Sequence, residues 1–341
     1  MKQTQLEERV RQIFEQQGFE VEKTGFGYKA EKERQSFEIQ VFSSEKHSEK
    51  QVMESVEKDL VFVDEPLSAV KDQLNVDVSV LEERNDEEYD LPSFEIIGDI
   101  AVINELVDLS REEAVEGILN SNPNVETILL KTDSLSGEFR VGDYEKLYGE
   151  ETETVHKEFG CRLKVDPTKV YFSERFSTER KRVIDQIEDG EKVLVMFAGV
   201  GPFAILAAKH ANPEKVVAVE KNPIAAEYLE ENIELNSLEG LVEGYEGDVE
   251  EIVPELGEKF DRIIMPLPGM ADKFLSLAVD SAAENAVVHY YRFLEEGNWE
   301  SLDQEIEALA EEFDVLDRTV CGERSPSSQR VCVDIMLRNQ V

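Results

Sequence analysis

The chain has 341 residues, of which 76 are acidic and 36 basic, for a formal net charge of −40; it is long enough for two or three domains that each bury a core. Such a charge exceeds what solubility requires and fits a protein working in concentrated salt, where screening over a few ångströms removes the self-repulsion. No apolar run approaches the ~18 residues that a bilayer span needs, and the opening MKQTQLEERVRQIF lacks the apolar core of a signal peptide, so a soluble cytoplasmic protein without membrane contact is expected.

Residues 1–90 read as an α+β module. Leu6 to Gln17 has helical periodicity that Gly18 stops, and Phe19 to Val21, Gly27 to Ala30 and Phe37 to Phe42 look like short strands. The residues leave its role open between substrate binding and a stabilising appendage. The charged stretch Glu82 to Asp90 reads as a linker. A small α/β unit is expected over 91–165: a strand-turn-strand from Phe94 to Ile103, a helix opened by the capping box Ser110 to Glu113 and running to about Leu119, then a strand from Val125 to Lys131.

Between Lys157 and Arg182, eight basic residues face four acidic ones, a local anion-binding candidate in an acidic chain. In molar salt, counterion release contributes little to RNA affinity, so net acidity argues only weakly against an RNA substrate. Cys161, Cys321 and Cys332 lack metal-like spacing and cannot all pair, which points to reduced thiols and no metal site.

The region 166–341 is organised around KVLVMFAGVGPF, Lys192 to Phe203. An apolar run, two glycines and a helix-like run read as strand, tight turn and helix, a geometry that cradles a nucleotide-like ligand. A second buried strand ends on Glu220, where a dinucleotide fold keeps a ribose-binding carboxylate. Asn222 and Pro223 then cap a helix to about Leu235. A third unit places Asp248 at a strand end, and a fourth runs from Phe260 into the rigid turn Pro266-Leu267-Pro268-Gly269. His289, Tyr290 and Tyr291 end a fifth strand, where pocket lining and core packing are both open. An amphipathic helix over Leu302 to Phe313 and a hairpin of Val315 to Val320 with Val331 to Leu337 complete a seven-stranded sheet with an antiparallel edge strand.

The runs MFAGVGPF, E-K-N-P at Glu220 to Pro223, G-D at Asp248, D-R-I-I-M-P-L-P from Asp261 and V-V-H-Y-Y from Val287 resemble archaeal tRNA (guanine-37-N1)-methyltransferases. So does Y-F-S-x-R-x-x-T-E-R at Tyr171 to Arg180. The resemblance implies a Rossmann-like class I methyltransferase sheet that uses S-adenosylmethionine, preceded by the small α/β and α+β domains. It assigns Phe197, Ala198, Gly199, Val200 and Gly201 to the methionine end of the cofactor, and Glu220 to its ribose. Asp248 with Val249 falls at the adenine, and Lys221, Asn222, Pro266 and Leu267 complete the cofactor set. By the same resemblance Glu179 is the base, Arg140 of Gly137-Glu138-Phe139-Arg140 the partner of the guanine oxygen, Tyr171 a contact of the target base, and Pro268 a wall of its pocket. The implied partner is tRNA, at its anticodon loop, with the protein acting as a monomer. The chain departs from the family at Val195, where an acid is usual, and at Pro266, where N-L-P is usual. Two alternatives remain: an aminocarboxypropyl transferase of the wybutosine pathway, which also lacks that asparagine, and a non-catalytic RNA-binding protein on a degenerate methyltransferase fold.

Overall fold

The computed structural model describes residues 20–23, 28–32, 35–41, 78–83, 91–107, 109–132, 139, 141–295, 298–307, 312–325 and 327–338. The chain divides into two compact units, Met1–Leu91 with Glu116–Pro123, and Pro92–Val115 with Asn124–Val341. In the first unit, β1 (Glu20–Lys23), β2 (Tyr28–Lys32), β3 (Gln35–Val41) and β4 (Val78–Glu83) form a sheet in that order, antiparallel at every pairing. The expected strands are found, while the helix expected over Leu6 to Gln17 lies outside the described residues. Glu82 and Glu83 of the expected linker are the end of β4, and the rest of that stretch lies outside the description.

The second unit begins with a four-stranded sheet of β5 (Phe94–Ile97), β6 (Ile100–Ile103), β7 (Thr127–Lys131) and β8 (Tyr144–Tyr148), in that order. The helix Arg111–Ser121, between β6 and β7 in sequence, opens on a reciprocal cap. Ser110 N–H donates to Glu113 Oε2 at 2.8 Å, and Glu113 N–H donates to Ser110 Oγ at 3.2 Å. A hairpin of β9 (Thr154–Glu158) and β10 (Cys161–Val165) follows, then the helix Ser177–Ile184.

The main sheet contains β11 (Lys192–Met196), β12 (Lys215–Glu220), β13 (Val242–Glu246), β14 (Phe260–Met265), β15 (Ala282–Glu295), β16 (Phe313–Ser325) and β17 (Ser328–Leu337). Its strand order is β13-β12-β11-β14-β15-β17-β16. The first five strands are mutually parallel, and the closing hairpin inserts β17 antiparallel between β15 and β16. Parallel strands covered on both faces must be apolar on both, which is why β11 and β12 read as unbroken runs. Val193 and Val195 pack with Ala204, Ile205 and Ile264 on one face, whereas Leu194 and Met196 pack with Ile263, Val288 and Tyr290 on the other. Two element ends differ from expectation. The late helix is Trp299–Glu307, and Phe313 instead opens β16, where it pairs with Leu337 of β17. β15 continues past Tyr291 to Glu295 because β17 pairs with it along its whole later half.

The helix Pro223–Leu235 is joined to β10 by side-chain amides. Asn232 Oδ1 accepts from Lys164 N at 2.6 Å and its Nδ2 donates to Lys164 O at 3.0 Å; Asn236 does the same to Arg162, at 2.9 and 2.7 Å. Four helical residues rise about 6 Å and two strand residues about 6.6 Å, so asparagines four apart match strand positions two apart. Asn232 Nδ2 also donates to Val200 O at 2.9 Å, which ties the glycine turn into the same joint.

Gly201 sits at φ 88 ahead of the helix Pro202–His210, and a Cβ there would lie 2.5 Å from Leu229 Cδ1. Gly201→Ala is therefore expected to destabilise the protein by about 2–4 kcal/mol, from left-handed strain plus overpacking. A urea midpoint equal to wild type would show that Leu229 yields freely.

Candidate active site

The carboxyl ends of β11, β12 and β13 bring three of the expected features together. Phe197 follows β11 in the left-handed region at φ 56, its ring 4.9 Å from that of Phe274 at an edge angle, and Gly199 follows at φ 58. A Cβ on Gly199 would meet nothing nearer than Tyr171 O at 4.0 Å, so the backbone there faces open space that a ligand can approach. Glu220, at the end of β12, accepts from Gly199 N and Asn222 N, each at 2.7 Å. Burial raises its carboxyl above the usual range, and the backbone hydrogen bonds act in the opposite direction. An ionised carboxylate has about four acceptor positions, so capacity remains beyond these backbone donors for a ligand hydroxyl.

Asn222 is the expected N-cap: its Oδ1 accepts from Ile224 N at 3.1 Å, with Pro223 at the first helical position. Asp248 caps the helix Val249–Leu256 through Glu250 N at 3.0 Å and pairs with Lys221 Nζ at 2.9 Å, which holds its carboxyl below the usual range. The Val249 side chain is buried in the core, leaving its backbone at the strand end.

Beside the glycine turn lies a cleft enclosing about 670 Å³ of empty space, part of it open to solvent. Phe197, Ala198, Gly199, Val200, Pro266, Pro268 and Tyr171 line it, together with Phe172, Phe176, Tyr291 and Arg330. Leu267 packs against the sheet core. A second hollow of about 1200 Å³ adjoins it, between the small sheet and the β16–β17 hairpin. Tyr144, Tyr171, Phe172, Arg175, Phe176 and Arg330 are among its walls.

Glu179, on the helix Ser177–Ile184, is 6% exposed. Arg182 one turn on forks onto it, Nε to Oε2 at 2.8 Å and Nη2 to Oε1 at 2.9 Å, and the Tyr291 hydroxyl donates to Oε1 at 2.7 Å. Burial drives the Tyr291 phenol well above its ordinary range, so it keeps its proton and remains a donor. Glu179 does not line the cleft, but Tyr291 does, and the tyrosine connects the two.

The network continues through the sheet. Arg182 Nη1 reaches Asp334 Oδ2 at 2.6 Å, and Asp334 Oδ1 lies 2.7 Å from His289 Nδ1. His289 Nε2 lies 2.9 Å from Arg262 Nη1, and Arg262 pairs with Glu191 at 2.6 Å. Burial lowers the His289 pKa, so the ring is neutral, with Nδ1–H donating to Asp334 and Nε2 accepting from Arg262. The ligand atoms of His289, Cys332 and Asp334 all lie within 4.8 Å of one another. Two guanidinium groups already neutralise this cluster, and burial pushes the Cys332 thiol well up. It is built as a hydrogen-bonded core.

Most charges of the basic island have partners within the protein. Arg180 pairs with Glu158 inside the protein (Nε to Oε1 2.8 Å), Arg175 with Glu95 (3.0 Å), Lys169 with Asp166 (3.0 Å) and Lys164 with Glu153 and Glu231 (2.9 Å each). Lys181 pairs with Asp185, and Arg162 reaches the Leu235 carbonyl.

Comparison with known proteins then decides the family. The TRM5/TYW2 methyltransferase domain matches residues 154–316, and the TYW2 N-terminal domain matches residues 79–152. The tRNA (guanine(37)-N(1))-methyltransferase Trm5b of Pyrococcus abyssi is 41% identical over 258 residues, covering 71% of this chain and 74% of the relative. The chain belongs to the TRM5/TYW2 methyltransferase family. A second relative, the tRNA(Phe) (4-demethylwyosine(37)-C(7)) aminocarboxypropyltransferase of Methanocaldococcus jannaschii, is 37% identical and covers 60% of this chain and 79% of its own. Among solved structures, that of the complex of aTrm5 and tRNALeu matches with a TM-score of 0.68 at 26% identity, covering 97% of each chain.

Within that family frame, the departure at Val195 falls at a fully buried position in the sheet, away from the cleft, while Pro266 is in the cleft wall. Arg140 lies outside the described residues. The sequence left Tyr291 open between pocket lining and core packing, and it lines the cleft; Phe172, Phe176 and Arg330 were not selected as site residues. Phe172 and Phe176 sit inside the quoted Tyr171 to Arg180 motif, and Tyr291 ends the V-V-H-Y-Y run, so a motif signal existed for these three. Arg330 carries no local signal, because it reaches the cleft only through the pairing of β17 with β15. Among the described residues no helix is long and apolar enough to cross a membrane.

Proposed function

We propose that this protein is a tRNA (guanine37-N1)-methyltransferase that carries a methyl group from S-adenosylmethionine to N1 of the guanosine 3′ of the anticodon. The observation that carries the reading is a clamped, buried carboxylate, Glu179, one tyrosine away from a cleft floored by the glycine turn. The relatives named above supply the reaction class. The donor set fits the cofactor: Gly199 leaves an open cradle, Glu220 has acceptor positions for ribose hydroxyls, and Asp248 with the backbone of Val249 stands at the next strand end. S-adenosylmethionine supplies an electrophilic methyl group when bound there. Phe197 to Gly201 would hold its methionine end, and Lys221, Asn222, Pro266 and Leu267 would shape the walls.

Guanine N1 carries a proton, so its lone pair is unavailable until that proton leaves. Glu179 is the proposed acceptor: three donors occupy three of its roughly four acceptor positions and leave one on Oε2. Arg140 would stabilise the charge developing on O6, Tyr171, which is 38% exposed, would contact the extruded base, and Pro268 would wall the pocket. Methyl transfer then depends on alignment, which a rigid Pro266-Leu267-Pro268 turn serves. In this reading 91–165 is the tRNA-binding module that carries Arg140 and 166–341 is the catalytic domain, preceded by the α+β module of residues 1–90. The enzyme works as a monomer, in the cytoplasm, at high salt.

The aminocarboxypropyl alternative has two observations in its favour, Pro266 in place of the asparagine and the TYW2-type match over 79–152. Transfer of labelled methyl from S-adenosylmethionine to unmodified tRNA transcripts in molar potassium chloride separates the readings. Incorporation that requires guanine at position 37 is expected. A much larger mass added to tRNA carrying 4-demethylwyosine at position 37 would establish the alternative, and cofactor binding without methyl incorporation would leave the aminocarboxypropyl and RNA-binding readings.

A further inference from the structure

We infer that Arg330 is an oxyanion-binding residue of the active-site cleft, taking either a phosphodiester oxygen of the target nucleotide or the carboxylate at the methionine end of the cofactor. The inference rests on the RNA-methylation reading for the identity of those ligands. Its geometry does not depend on that reading.

Arg330 stands on β17 opposite Phe293 of β15 and Gly322 of β16, at the carboxyl end of the parallel strands. Its side chain is a wall of both hollows, the cleft beside the glycine turn and the larger space against the small sheet. The guanidinium carbon lies 3.8 Å from the centroid of the Phe176 ring and 5.6 Å from that of Phe293. A guanidinium held against two rings has its fork oriented before any ligand arrives, so little side-chain entropy remains to be lost on binding.

Among the described residues the Arg330 guanidinium has no polar side-chain partner. Among the described residues no carboxylate pairs with it, and Nε is buried without a hydrogen-bond acceptor. A buried donor left unmet costs about 1–3 kcal/mol, more when charged. In a chain with 76 acidic residues, a cation lacking a carboxylate is a specific arrangement. The neighbouring guanidinium groups show the contrast. Arg175 is taken by Glu95, Arg180 by Glu158, and Arg182 by Glu179 and Asp334. Of the three arginines among the described residues that line the two hollows, Arg175, Arg180 and Arg330, only Arg330 has no carboxylate on its fork. A planar fork of N–H donors fits a carboxylate or phosphate, to which it gives two parallel charge-assisted hydrogen bonds.

The test uses the full-length protein and Arg330→Met, which keeps the apolar contact with Phe176 while removing the fork, alongside Arg330→Lys, which keeps the charge alone. Three quantities are measured: KM for a tRNA transcript, the calorimetric Kd of S-adenosylmethionine, and the Kd of methylthioadenosine, which lacks the amino-acid part. A rise of tenfold or more in KM for tRNA with unchanged cofactor Kd supports the inference and assigns the phosphodiester. A tenfold rise in the Kd of S-adenosylmethionine with unchanged methylthioadenosine affinity supports it and assigns the carboxylate. Arg330→Met equal to wild type in all three overturns it. Should Arg330→Met fail to fold, Arg330→Lys carries the same outcomes, since an ammonium cannot replace the fork. If wild type itself transfers no methyl group, the functional reading fails, and the two calorimetric titrations still judge the carboxylate arm, with a filter-binding Kd for tRNA judging the other.

Discussion

Glu179→Gln is expected to lower the methyl-transfer kcat by about 10²–10⁴-fold while leaving the affinity for S-adenosylmethionine within a factor of two or three of wild type. The substitution keeps the volume of a residue that is 6% exposed, so the core stays filled. It also keeps an oxygen for the Tyr291 hydroxyl and for one arm of Arg182, whose second arm then faces an amide instead of a carboxylate. What it removes is the ability to take a proton. A base makes its contribution in the transition state, so the loss should fall on kcat and leave KM for tRNA little changed. A merely structural carboxylate would show the opposite pattern: a lowered Tm and activity recovered in proportion to the folded fraction at low temperature. Full activity in Glu179→Gln, measured on a transcript with guanine at position 37, would remove Glu179 from the mechanism.

The second large effect lies beneath the cleft. Asp334 is 1% exposed and is held by Arg182, His289 and Gln186. Burial by itself would raise its carboxyl, yet these hydrogen bonds hold it far below the ordinary carboxylate range. Asp334→Asn leaves the Arg182 guanidinium and the His289 N–H facing a neutral amide, and breaking one side of a buried pair costs about 3–5 kcal/mol. For a unit of this size that is a fall in Tm of roughly 10 °C. The sign with pH follows from the depressed folded-state value. The carboxylate contributes its full stability above the unfolded value of about 4 and loses it as pH falls below that point. The gap between wild type and Asp334→Asn should therefore be widest at neutral pH and narrow by roughly 1.4 kcal/mol per pH unit below about pH 4. Thermal unfolding of both proteins at pH 7 and pH 3.5 checks this, and a gap that widened on acidification would contradict the charge assignment. Because Arg182 joins Asp334 to Glu179, the variant should also lower kcat, with Glu179 losing its clamp.

The catalytic sheet was legible because each of its elements announces itself locally. Val193 to Phe197 and Val216 to Val219 are unbroken apolar runs, Asn222-Pro223 is a cap written in two residues, and Gly199 and Gly201 mark a turn that only a small set of backbones can make. Glu179, Tyr171 and Pro268 were reachable through a motif. The remainder depended on pairings across long sequence separations. His289 and Asp334 meet only because β15 and β17 are in register, 45 residues apart. Arg182 looks from sequence like one more charge in a basic island, and its fork onto two buried carboxylates is set by tertiary packing. The island itself misled for the same reason: charges adjacent in sequence were neutralised by acids from other elements, such as Glu95, Glu153 and Glu158. Phe313 fell to the strand because it pairs with Leu337 of β17, and an apolar residue at helical spacing does not by itself fix where a helix ends.

Many of the side-chain cross-links among the described residues are ionic, and their strength varies with the medium. The junction between the β9–β10 hairpin and the cofactor loop is made differently, from the carboxamides of Asn232 and Asn236 bonded to main-chain groups of Arg162, Lys164 and Val200. Neutral amides carry no counterion atmosphere, so dilution or concentration of the surrounding electrolyte leaves this weld unaltered. Across swings in salt concentration, the spacing between hairpin and methyl-donor site is thereby fixed by a component indifferent to ionic strength.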